Sequence, residues 1–158
     1  MTVTVDIDLG YEFAVNAAFK EVFDVLSDVP TSAGFFPQVD QLVDLGKGAY
    51  RWEMARLGVA GASLQTVYAS KYTSDRAKGS VVWVPVKGQG NALVSGSWRV
   101  ARPKKAKGTA LEFRVFGTVD VPVPGLMAMV VAPVVRSEFE TLVEAYIDKL
   151  IKHFGGEA

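Results

Sequence analysis

Val3, Val5, Ile7 and Leu9 alternate with Thr4, Asp6 and Asp8, and the same parity continues through Tyr11, Phe13 and Val15. A period of two predicts a strand over Thr2 to Val15, with Gly10 as the place for a bend. Asn16 then stands before Phe19, Val22, Phe23 and Leu26, which fall at helical spacing, so Asn16 is the expected N-cap. Asp28 and Pro30 are read as the stop of this helix. A second short helical turn is expected from Thr31 to Phe36, closed by Pro37. Five further alternating runs follow, punctuated by glycine-rich or polar turns. They are Val39 to Leu45, Ala49 to Val59, Ala62 to Thr73, Ser80 to Val86 and Ala92 to Ala101. Thr109 to Val121 is the last strand. Downstream, Phe139, Leu142, Val143, Tyr146, Ile147, Leu150 and Phe154 recur at spacings of three and four, with Glu138, Glu140, Glu144, Lys149 and Lys152 on the remaining face. This predicts one long amphipathic helix, ended by Gly155-Gly156. Leu126 to Val135 is apolar on nearly every side and reads either as buried helix or as a cover for something apolar.

Short turns between strands imply antiparallel pairing, and the alternating apolar face must be covered. The last helix is the one element long enough to cover it. The pattern therefore predicts an α+β domain spanning 1–158: a seven-stranded curved antiparallel sheet wrapped around a long C-terminal helix, with two short helices after the first strand.

Composition narrows the chemistry. Lys plus Arg is 17 and Asp plus Glu is 17, and this zero balance argues against a nucleic-acid partner. Apolar residues at 49% and charged residues at 22% suit a globular chain. The absence of cysteine excludes disulfides, Cys-ligated zinc and thiol nucleophiles. His153 is the sole histidine, which removes multi-histidine metal sites and disfavours a Ser–His mechanism. No metal or other cofactor is expected. Met1 to Leu9 lacks a signal-peptide pattern, and the apolar run Val121 to Val135 is broken by prolines and shorter than a membrane span. A cytoplasmic location is the default expectation.

The segment Phe13-Ala14-Val15-Asn16-Ala17 running into Val22-Phe23-Asp24-Val25-Leu26-Ser27-Asp28, the Phe35-Phe36-Pro37 turn and the closing Phe139 to Phe154 helix resemble the SRPBCC superfamily. That superfamily comprises START-like, polyketide cyclase/dehydrase and Bet v 1-like domains with the helix-grip fold. The resemblance implies a hydrophobic cavity between sheet and long helix, suited to a lipid, fatty acid or polyketide-like ligand. It carries over no catalytic residue.

The strand faces nominate the cavity wall: Trp52, Met54, Trp98, Phe113 and Val115, joined by Tyr68 and Tyr72. Met127, Val131 and Phe139 are the helix-side candidates. Tyr68, Tyr72 and Ser70 are candidates for orienting a ligand, and Gly96 and Gly117 for leaving room beside it. The leading expectation is binding or transport of a hydrophobic small molecule. The alternatives are a cyclase/dehydratase using Glu53 or Arg114 for proton transfer, and an accessory factor that touches a membrane or protein through 121–135. Glu53 qualifies only if a register bulge turns it inward. By alternation Arg51, Glu53, Arg56, Arg99, Glu112 and Arg114 lie on the outer face, where cross-strand pairs such as Glu112 with Arg99 are the plain account. His153 is expected as a surface residue in the last helical turn. The loop with Arg102, Lys104, Lys105 and Lys107 reads as a solvated basic tip with a secondary reading as a docking patch. Gly88-Gln89-Gly90-Asn91 joins two strands and opens no helix, so it is not a phosphate loop.

Overall fold

The computed structural model describes residues 2–59, 62–102 and 108–158. The chain begins with β1 (Val3–Val15), followed by α1 (Phe19–Ser27) and α2 (Val29–Ala33). Strands β2 (Val39–Gly46), β3 (Ala49–Met54), β4 (Leu57–Val59), β5 (Ala62–Leu64) and β6 (Val67–Asp75) come next. After β7 (Ser80–Val86), β8 (Ala92–Ala101) and β9 (Thr109–Val121), a single 3-10 turn at Gly125–Met127 leads into α3 (Ala128–His153). Seven strands form one antiparallel sheet in the order β1-β9-β8-β7-β6-β3-β2. Short turns join each of the pairs β2–β3, β6–β7 and β7–β8, which makes them antiparallel neighbours, and β8 pairs antiparallel with β9. The sheet's inner face and α3 enclose the core.

The long pairing of β1 with β9, unbroken from Val3–Val121 to Val15–Thr109, sets the inner face at that end. Val3, Val5, Ile7, Val15, Leu111, Phe113, Val119 and Val121 point inward and are buried, as alternation demands. From α3, Val143, Tyr146, Ile147 and Leu150 descend onto this layer. Helix α1 adds Phe19, Val22, Phe23 and Leu26 at helical spacing. Gly155 and Gly156, both at positive φ, reverse the chain after α3.

Four local departures from the sequence pattern have physical reasons. Asn16 does not cap α1: Ala18 holds that position without a side-chain bond. The Asn16 Nδ2 instead donates to the carbonyls of Gly155 at 2.9 Å and Glu157 at 3.3 Å, tying β1 to the chain end. Asp28 and Pro30 open α2 rather than merely ending α1. The Asp28 carboxylate accepts from the Thr31 amide at 3.4 Å, and Pro30 sits in the first turn, where its missing N–H costs nothing. The expected strands Ala49 to Val59 and Ala62 to Thr73 are each divided. Main-sheet pairing of β3 with β6 stops at Glu53–Val67, and β4 with β5 forms a separate hairpin. Pro133 lies inside α3 without ending it. It has no N–H for the carbonyl of Met129, a residue at the solvent-facing start of the helix.

Segment 121–135 is neither wholly buried nor wholly a cover. Val121, Val123, Val131 and Val135 are buried, whereas Leu126, Met129, Val130 and Val134 are exposed. None of the described helices is long and apolar enough to cross a membrane.

Candidate functional site

An apolar cavity of about 80 Å³ lies between the inner face of the sheet, α2 and α3. Strand β6 presents Tyr68 and Tyr72, β3 presents Trp52, and β7 presents Trp83. Trp98, Phe113, Val115 and Gly117 come from β8 and β9. Phe139, Val143 and Tyr146 close it from α3, at positions i, i+4 and i+7 of one helical stripe. Ser32 and Phe36 reach in from α2 and the turn after it.

The aromatic rings hold one another in a continuous network. Trp52 and Tyr68 are cross-strand partners in the β3–β6 register, and their rings lie nearly parallel at 11°, with centroids 5.9 Å apart. Trp98 meets Phe113 at 4.6 Å, and Phe113 meets Trp83 at 5.9 Å. Phe36 bridges Trp52 at 5.8 Å and Tyr146 at 5.1 Å. Each offset or edge contact adds modestly to the burial of the rings, so the wall is stiff without being filled.

Polar atoms on this wall are few. The Ser32 and Tyr146 hydroxyls are hydrogen-bonded to each other at 2.5 Å. The Trp52 indole N–H donates to the Tyr72 hydroxyl at 3.0 Å. Tyr68 is buried, and its hydroxyl has no hydrogen-bond partner among the described residues. Burial pushes the phenol of Tyr146 up to about 12, partly offset by the adjacent Ser32 hydroxyl and Trp98 indole. Burial likewise raises Tyr68 and Tyr72 well above the usual phenol value. All three are therefore neutral O–H groups at physiological pH.

Seven of the ten ligand-site candidates line this cavity: Trp52, Tyr68, Tyr72, Trp98, Phe113, Val115 and Phe139. Met54, Met127 and Val131 do not. Met54 is the last residue of β3, where the chain leaves the main sheet, and it borders a second hollow of about 190 Å³ with Gln38, Arg56, Glu138 and Leu142. Phe139 borders both hollows. Met127 and Val131 precede the cavity-facing stripe of α3 by two turns or more. Val131 is wholly buried in the core, and Met127 packs against it.

The proton-transfer candidates lie outside the cavity. Glu53 is not turned inward: the β3–β6 register is even as far as Glu53, the irregularity beside it falls in β2 between Val39 and Gln41, and its carboxylate pairs with Arg51 Nε at 3.1 Å. Arg114 is on the outer face, 3.6 Å from the Asp8 carboxylate and above the Phe116 ring. Arg99 and Glu112 are register partners across β8–β9, but their side chains do not form the expected ion pair. Ser70 is fully buried, but its hydroxyl is spent on the Val94 carbonyl at 2.8 Å. That cross-over bond forms where β7 and β8 stop pairing at Trp83–Gly96, shortly before Pro85. Gly96 does not leave room for a ligand. A Cβ there would stand 2.5 Å from the Trp83 ring, so the space belongs to Trp83. Gly117 does line the cavity. His153 is exposed in the last turn of α3 against Phe35, with ring centroids 4.9 Å apart. Of the basic loop, Lys104, Lys105 and Lys107 lie outside the described residues, and the Arg102 guanidinium stacks over Phe19 at 4.3 Å.

Sequence reading missed Trp83, Tyr146, Ser32 and Phe36 as site residues. Trp83 was hidden because Val81, Val82, Trp83 and Val84 are apolar on both strand faces, so alternation assigns no inside. Tyr146 carried a signal, since it shares the helical stripe of Phe139 and Val143.

No family model matches the chain, and no curated protein resembles it in sequence. Its structure does have counterparts. The Zhui aromatase/cyclase from Streptomyces sp. R1128 superposes with a TM-score of 0.62 at 20% identity, covering 96% of this chain and 99% of that one. A START superfamily protein from Mycobacterium smegmatis gives 0.63 at 15% identity, with coverage of 93% and 96%. The di-domain ARO/CYC BexL from the BE-7585A biosynthetic pathway gives 0.59 at 16% identity, covering 98% of this chain and 52% of that one. The chain shares the helix-grip fold of these structures. At these identities the likeness defines architecture, and function must be argued from the site.

Proposed function

We propose that this chain binds, and by doing so carries or presents, a hydrophobic small molecule of lipid or polyketide-like character in the cavity between sheet and α3. The observation that supports this most is the lining itself. Aromatic and aliphatic side chains surround a void while leaving the Tyr68 phenol with no partner among the described residues, the pattern of a ligand pocket. Affinity would come from removing ligand carbon from water, at roughly 25 cal/mol per Å². At about 80 Å³ the cavity is smaller than pockets that hold drug-sized ligands, roughly 300 Å³ or more. A large ligand enters as the surrounding side chains part, and rotation of Phe139 would join the cavity to the neighbouring hollow. Native mass spectrometry of gently purified protein, with solvent extraction and displacement of Nile red, tests the reading. Bound apolar mass or dye uptake is expected. Repeated absence of both would overturn it.

The cyclase/dehydratase reading draws on the same cavity, with shape folding a substrate and a tyrosine moving a proton. Glu53 and Arg114 have no path to such a substrate from the outer face, and this favours binding over acid–base catalysis. The exposed Leu126, Met129, Val130 and Val134 support a peripheral contact with membrane or protein through 121–135. Co-sedimentation with neutral and anionic liposomes tests the membrane form of that contact, and no pelleting with either argues against it.

A further inference from the structure

Among the described residues that line the cavity there is no carboxylate, ammonium, guanidinium or imidazole. The hydrogen-bonding capacity is therefore that of Ser32, three phenols and the indoles. Ser32 and Tyr146 satisfy each other. The Tyr72 oxygen already accepts from Trp52, which leaves its proton without an acceptor among the described residues. Tyr68, at 9% exposure, makes no side-chain hydrogen bond to any described residue, and its hydroxyl is not sealed off, because no fully buried side-chain polar atom among the described residues lacks a partner. What the cavity has left to offer is hydrogen-bond donors set in an aromatic wall, these two O–H groups and the Trp83 indole N–H, which also bonds to no described residue.

We propose that the cavity selects an uncharged, flat ligand bearing an acceptor oxygen, such as an aryl ketone, ester or quinone, which takes the hydroxyl proton of Tyr68. This rests on the binding reading above and narrows it. The near-parallel rings of Trp52 and Tyr68, with Trp83, Trp98 and Phe113 beyond them, suit a planar apolar body. An acceptor oxygen gives the unspent Tyr68 donor a hydrogen bond in a low-dielectric wall, which a hydrocarbon of the same shape cannot do. A free carboxylate is disfavoured, because the wall has no cation to offset the loss of its hydration. Long-chain acids therefore fall outside the class, whereas their neutral esters fall within it. Burial reinforces the assignment by holding the phenols protonated far above neutral pH.

Calorimetric titration of the full chain at pH 7 with 2-acetylnaphthalene, 2-ethylnaphthalene and 2-naphthoate tests the proposal with one ring system and three substituents. The ketone should bind about tenfold tighter than the hydrocarbon and at least about tenfold tighter than the carboxylate. Tyr68→Phe, which keeps the ring and removes the hydroxyl, should bring ketone and hydrocarbon to within about threefold of each other. Equal affinity of ketone and hydrocarbon for the unaltered protein would overturn the proposal and leave the binding reading standing. Naphthoate binding as tight as the ketone would overturn the exclusion of anions. Failure of all three to bind, with no Nile red uptake, would overturn the binding reading as well.

Discussion

Hydroxyl groups inside this protein are held on two different terms. In the packed regions, Thr109 is fully buried and donates to the Ala17 carbonyl at 2.7 Å, and Ser70 donates to Val94 at 2.8 Å. Each closes a backbone acceptor that no strand or helix bond satisfies, and each holds two elements together. At the cavity, Tyr68 has no partner among the described residues and Tyr72 accepts a bond while its proton stays unspent. The first pair does structural work at the cost of having nothing left for a ligand. The second pair is kept available by the aromatic packing around it. The difference separates what folds the chain from what the folded chain can recognise, although both pairs lie on inner strand faces and look alike in sequence.

The largest way to strain this contrast is alkaline pH. Tyrosines raised above their unfolded value near 10 bind their protons more tightly in the folded state. Their contribution to stability is fully present below pH 10 and is lost as pH rises from there, for Tyr146 up to about 12. Unfolding free energy should be flat from pH 7 to 9 and then fall by about 1.4 kcal/mol per pH unit for each buried tyrosine. Phenolate absorbance at 295 nm should rise together with loss of near-UV dichroism. Titration of the buried phenols in a folded protein would show that the cavity is wet and open.

Next in size, Thr109→Val should cost about 1–3 kcal/mol in urea unfolding by stranding the Ala17 carbonyl, with ligand preference unchanged. Smaller still, Tyr68→Phe should shift stability by no more than about 0.5 kcal/mol, since that hydroxyl supports nothing in the folded protein. A loss comparable to Thr109→Val would mean that Tyr68 is structural and would erase the distinction. The smallest effect is expected for Glu53→Gln, which breaks a half-exposed pair with Arg51. Stability should move by less than about 0.3 kcal/mol and Nile red binding by less than twofold. A marked loss of binding would bring Glu53 back toward the site.

Much of the architecture was legible in residue patterns because the sheet has one solvated face. Alternation through Val3 to Val15 and Thr109 to Val121 reports that asymmetry directly, and the Phe139 to Phe154 spacing reports the covering helix. The pattern was blind where both faces are apolar, which hid Trp83. It was also blind where a residue's partner is remote in sequence. Asn16 looks like a cap by its local setting, yet the chain end at Gly155 and Glu157 draws its amide away. The division of Ala49 to Val59 and Ala62 to Thr73 was illegible for a related reason. A strand's membership of one sheet or another is settled by pairing, and alternation is the same in both. For the site, Trp52, Tyr68, Tyr72, Trp98 and Phe113 could be placed from parity alone, but which hydroxyls are spent and which are free depends on three-dimensional partners.

The central claim is that ligands enter the aromatic cavity and not the exposed apolar surface at the start of α3. Intermolecular nuclear Overhauser effects between 2-acetylnaphthalene and the assigned protein separate the two directly. The account predicts cross-peaks to ring protons of Tyr68, Trp83 and Phe113. Cross-peaks confined to Leu126, Met129 and Val130, with none to those rings, would contradict it.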